Sequence, residues 1–90
     1  MKITKEQLSI INVILQVDKE GKSKQFGLSD LSIASDVFKE IKKLVVEDKF
    51  TDGEIELTSE QKVFITKLID ERDWTVMDAD FVFALKTLIK

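Results

Sequence analysis

Ile3-Thr4-Lys5-Glu6-Gln7 opens a run of helical periodicity near the start of the chain, and Leu57-Thr58-Ser59-Glu60-Gln61 opens another in its second half. In each, a Thr stands three residues ahead of a Gln. At that spacing the Thr oxygen accepts the backbone N–H of the Gln, and the Gln side chain reaches back to the N–H of the Thr, closing a capping box. The echo therefore predicts two helix starts and divides the chain into halves. The fold class follows from what each half places behind its cap.

Behind Thr4, the residues Leu8, Ile10, Ile11, Val13, Ile14, Leu15 and Val17 cover most of a helix and leave Ser9, Asn12 and Gln16 as a narrow uncharged stripe. This helix is expected to be the most buried element. Ile3 and Leu8 have the spacing of a hydrophobic staple around the Thr4 cap. Residues 19–29, with Gly21 and Gly27, read as a loop. A second amphipathic helix follows, with Ala34, Val37, Phe38, Ile41, Leu44 and Val45 on one face and Lys39, Glu40, Lys42, Lys43 and Glu47 on the other. Ser29, Ser32 and Ser35 are all capping residue types, so a short helix over 29–34 is expected to precede a longer one from Asp36.

Behind Thr58, a third helix runs from Ser59 to about Glu71, with Val63, Phe64, Ile65, Leu68 and Ile69 turned inward and Lys62 where the first half has its staple leucine. The last helix starts near Thr75 or Val76. Asp78 and Asp80 lie in its first turn and Lys86 and Lys90 toward its end, the arrangement that the helix dipole favours. Between the halves, Asp52-Gly53 is flanked by alternating residues and can turn a short hairpin.

The chain thus reads as mainly α: a compact four-helix single domain over residues 1–90, built as two helical hairpins, with one short β-hairpin around Asp52-Gly53. Asp36, Ile41, Lys42, Leu44 and Val45 align with Asp80, Leu85, Lys86, Leu88 and Ile89, so residues 3–46 and 57–90 also read as an imperfect repeat.

Composition narrows the function. The chain is 43% apolar and 34% charged, as in ordinary globular domains. A domain of ninety residues buries only about two thirds of its unfolded surface, which favours association with a partner or a second copy. With no His and no Cys, a Ser-His triad, a thiolate nucleophile and an N/S zinc site are all excluded. No catalytic activity, cofactor or metal is expected. Met1-Lys2-Ile3-Thr4 does not begin a signal sequence, and no apolar run approaches the length of a membrane span, so a cytoplasmic location without membrane association is expected. Residues 1–45 carry eight Lys against six acids. Residues 46–90 carry six Lys or Arg against eleven acids, so a first half of +2 and a second half of −5 make up the net charge of −3.

Three stretches have the outline of known chemistry. Asp48-Lys-Phe-Thr-Asp52-Gly53-Glu-Ile-Glu56 resembles part of an EF-hand calcium loop. It has Phe50 at the third position, where an oxygen ligand belongs, and Ser59 at the twelfth, with Glu60 one residue too late to supply the bidentate carboxylate, so it implies at most a degenerate calcium binder. Gly21-Lys22-Ser23 matches the end of a phosphate-binding P-loop, but the position of its leading Gly is Gln16, inside a helix. A helix, a short helix, a longer helix, an Asp-Gly hairpin and a further capped helix also resemble a winged-helix domain over roughly residues 5–72. That resemblance implies a DNA-binding regulator with Lys39, Lys42 and Lys43 facing phosphate. Its wing, Thr-Asp-Gly-Glu-Ile-Glu, is acidic where phosphate contact calls for Arg or Lys.

Trp74, Met77, Phe81 and Phe83, bordered by Asp78 and Asp80, form the most apolar and aromatic segment of the second half, and such residues are enriched at interface cores. The preferred reading is a non-enzymatic protein-interaction module, in the size range of oligomerisation units, adaptors and small inhibitors or accessory proteins, including those of phages and other mobile elements. It would act through this segment on a protein partner or a second copy, with nucleic-acid binding through Lys39, Lys42 and Lys43 as the alternative.

Overall fold

The computed structural model describes residues 1–90 and contains both capping boxes. Thr4 Oγ1 accepts the Gln7 N–H at 3.2 Å and Gln7 Oε1 accepts the Thr4 N–H at 3.0 Å; around Thr58 the equivalent bonds with Gln61 measure 3.1 and 2.9 Å. They start two helices of twelve residues each, α1 (Lys5–Gln16) and α3 (Ser59–Asp70). Ile3 and Leu8, on either side of the first box, are both buried, as a staple requires.

The helix between them, α2 (Leu28–Lys42), is continuous over fifteen residues and starts at Gly27 without a side-chain cap. The expected break among Ser29, Ser32 and Ser35 does not occur. Capping preference is local, and here the stripe of Ala34, Val37 and Ile41, all buried, holds the serines inside one helix. A single 3₁₀ turn at Val76–Asp78 leads into the last helix, α4 (Ala79–Ile89).

Four two-residue strands complete the chain: β1 (Lys2–Ile3), β2 (Val45–Val46), β3 (Lys49–Phe50) and β4 (Gly53–Glu54). β2 and β3 form the short hairpin, pairing Val45 with Phe50 and Val46 with Lys49. Its turn is Glu47-Asp48, both in the left-handed region at φ 52° and 64°, and not Asp52-Gly53. Gly53 instead opens the strand that pairs antiparallel with β1. Its bare Cα lies against the end of the Leu44 side chain, which would have to shift for a Cβ placed 2.5 Å from Leu44 Cδ2. Left-handed backbone disfavours L-residues other than Gly, Asn and Asp, and a two-residue turn of this kind prefers Asn-Gly. Replacing Glu47-Asp48 by Asn-Gly is therefore expected to stabilise the domain by about 1 kcal/mol, read as a higher midpoint of thermal unfolding.

α1 lies at the centre, touching α2, α3 and α4, while α3 touches α2 and α4. The sixteen buried residues are all apolar and form one cluster drawn from every helix together with Ile3 and Ile55. Val63, expected inside, is exposed: the inward stripe of α3 is Phe64, Ile65, Leu68 and Ile69, and the helical turn carries the preceding residue off it. Val13 is likewise only partly covered. No helix is long and apolar enough to cross a membrane.

Candidate functional site

α4 buries Val82, Leu85 and Ile89, a stripe with spacings of three and four, against the rest of the domain. Leu88 is half-buried against the core, but the two Phe of this helix have no such cover. Phe83 is 67% exposed and Phe81 47%, and in the 3₁₀ turn ahead of them Met77 is 89% exposed and Val76 92%. The contrast with the other aromatic residues is the informative point. Phe64 is buried, and Phe26, Phe38, Phe50 and Trp74 are half-buried against the core, so only the two Phe of α4 face water.

Five of the six residues expected at this surface are thus exposed together: Met77, Asp78, Asp80, Phe81 and Phe83. Trp74 is placed differently. Its Nε1 donates to the Ile69 carbonyl at 3.0 Å, and the Arg72 guanidinium lies 6.0 Å from its ring centroid. Trp74 therefore closes the end of α3 and braces the connection from which the exposed segment springs. Arg72 also donates from Nη2 to the Val17 carbonyl, tying the ends of α1 and α3. Sequence reading missed Val76, which precedes the periodic part of α4 and so belongs to no apolar stripe.

The acids of this region are unpaired. Asp73, Asp78 and Asp80 make no ion pair, and Asp78 only accepts the Thr75 hydroxyl at 3.1 Å. The nearest cations in sequence are engaged elsewhere, Arg72 as described and Lys86 with Asp70 at 2.6 Å.

The lysines of the alternative reading are exposed on α2, but two of them are engaged. Lys43 Nζ donates to Glu40 at 2.6 Å, and Lys42 Nζ lies 5.3 Å from the Phe38 centroid, leaving Lys39 without such a contact. Residues 17–27 separate α1 from α2, in place of the three- or four-residue turn of a helix-turn-helix, and the hairpin tip carries Glu47 and Asp48.

Other charged groups serve the fold. Asp52, in the stretch that resembles a calcium loop, accepts the Lys5 N–H at 2.7 Å and reinforces the start of α1. No group of three or more Asp or Glu side chains is gathered so as to hold a metal ion. Glu40 accepts the Glu56 N–H at 2.9 Å, and this bond, with the Lys43 contact, holds its carboxyl below the usual value. The same contact raises Lys43.

Asp18 shapes the α1–α2 connection. Its carboxylate accepts the N–H groups of Lys22 and Glu20, at 2.9 and 2.8 Å, and these bonds, the Lys22 one foremost, lower its pKa from 3.8. The loop borders a cleft of about 280 Å³ floored by Ile14 and Leu68 and bridged by the Lys24–Glu71 pair at 3.6 Å. Because the folded carboxylate gives up its proton more readily, the unfolded chain binds more protons in acid. The contribution of Asp18 is complete above pH 3.8 and is lost as pH falls below that value through the lower folded pKa. Amide exchange at Glu20 and Lys22 is expected to accelerate over that interval, beyond the intrinsic pH dependence, in wild type and not in Asp18→Asn.

Comparison of the chain with protein-family models, with curated proteins and with solved structures finds no match.

Proposed function

We propose that this chain is a small non-enzymatic protein-interaction module, an adaptor or inhibitor, whose working surface is the outward side of α4 and the 3₁₀ turn before it. The observation that carries this reading is the exposure of Phe81, Phe83 and Met77 in a domain that covers its other aromatic rings. Exposed aromatic and Met side chains on one short segment are the composition of an interface core, and carboxylates beside them suit a polar rim. The fold does not need these side chains, because Val82, Leu85 and Ile89 already fix α4.

The non-enzymatic part of the reading rests on a side-chain inventory without His or Cys. It is supported by the three displaced ionisations, each of which is accounted for by backbone N–H bonds or an ion pair. A chain without Cys also suits a cytoplasmic setting. DNA binding is the weaker reading because Lys43 is paired and the hairpin tip is acidic.

The test compares capture of partners from the native host by wild type and by a Met77→Asp/Phe83→Asp variant of confirmed fold. A protein retained in stoichiometric amount by wild type and lost with the variant is expected. Retention of the same proteins by both would overturn the assignment of the surface.

A further inference from the structure

We propose that the outward face of α3 carries a groove that receives the 3₁₀ turn of a second copy of this chain. Ser59, Lys62, Val63, Thr66, Lys67 and Asp70 recur at spacings of three and four, which places them on the side of α3 away from its buried stripe. With Ile89 and Lys90 at the end of α4 they line an open groove of about 740 Å³. Val63 is 70% exposed there, and the aliphatic stems of the lysines extend the apolar wall.

The free charge of this groove is positive. Lys62, Lys67 and Lys90 make no ion pair, whereas Asp70 and Glu71 at its edge are paired with Lys86 and Lys24. Other grooves of comparable size differ. The one of about 580 Å³ beside β4 sets Glu40, Glu54 and Glu56 against Lys43 alone, and in those of about 490 and 370 Å³ the acids match or outnumber the lysines.

A ligand for the α3 groove must bring an apolar tip with carboxylates beside it, since covering lysines without a counter-charge opposes binding. The chain carries that complement itself. Val76 and Met77 project from the 3₁₀ turn almost fully exposed, and Asp73 and Asp78 on either side of them make no ion pair. None of the four lines the groove of its own chain, so the contact joins two copies. Reciprocal seating about a two-fold axis makes the contact twice, and one-way seating extends it into a row of copies. Only the turn is shared with the surface assigned above; Phe81 and Phe83 remain for a different protein.

Sedimentation of the purified full chain, followed up to about 1 mM, registers weak contacts of small area. The mean mass is expected to rise above the 10.3 kDa of one copy as concentration increases, and to fall back when salt is added. Lys62→Glu/Lys67→Glu reverses the groove and Asp73→Lys/Asp78→Lys reverses the turn, and circular dichroism checks the fold of both. Each alone should raise the dissociation constant about fivefold or more, because it sets like charges together. Mixed one to one, the two variants should associate again, since every contact between them pairs opposite charges. A wild type that stays at the mass of one copy would overturn the proposal and leave capture of another protein by Phe81 and Phe83 in place. So would association that is unchanged in both variants, or a mixture that fails to recover it.

Discussion

Val82→Asp is expected to unfold the domain, and Phe83→Asp, one residue further along the same helix, to leave it folded. Val82 is buried among the core side chains, so an Asp there loses the packing of the valine and holds a carboxylate with no hydrogen-bond partner. Burying an unpaired charge belongs to the short list of changes that cost more than about 4 kcal/mol, against a total of roughly 5–10 kcal/mol for a domain of this size. Phe83 stands in water, and a surface substitution of this kind changes stability by about 0.5 kcal/mol or less. Urea unfolding of both variants distinguishes the two sites. If Phe83 instead anchors a partner in the native host, its loss weakens binding by about 2 kcal/mol or more while the unfolding midpoint stays in place. Equal destabilisation by the two substitutions would mean that Phe83 is core.

The second large effect is Ile11→Ala. Ile11 is fully buried on α1, which like α3 touches all three other helices, so the cavity it leaves is walled by several elements and cannot close by movement of one. A loss of about 2–5 kcal/mol is expected, a large part of the total stability, with the thermal midpoint falling by at least 10 °C at about 4–8 °C per kcal/mol. Ile10→Ala, at a half-buried neighbour, should cost clearly less. A drop of under 1 kcal/mol for Ile11→Ala would contradict the central placement of α1.

The readable features were the local ones. Both capping boxes, the stripes of α1 and α2, and that of α3 apart from Val63 depend on residues within one or two turns of each other, and they stand where the spacing predicts. The hairpin was readable in kind but not in position. Asp52-Gly53 has the right turn chemistry, yet Asp52 caps α1 across 47 positions of sequence and Gly53 makes room for Leu44, both long-range demands that no local pattern carries. The turn falls instead on Glu47-Asp48, a poorer local choice fixed by where α2 ends and β3 begins. The aromatic segment was legible as an excess of apolar residues, but which of its members face water was not. Trp74 turns inward because the end of α3 offers it a carbonyl, whereas Phe81 and Phe83 remain outside because Val82 and Leu85 already occupy the place against the core.

Where this chain works, the outward side of α4 is expected to be covered by another protein. Site-specific photo-crosslinking in the native host tests it directly, with a photoreactive phenylalanine analogue at position 83 in one chain and at position 39, on the exposed side of α2, in another. A discrete product heavier than the single chain is expected from position 83 and none from position 39. No product from position 83, or the same products from both positions, would contradict it.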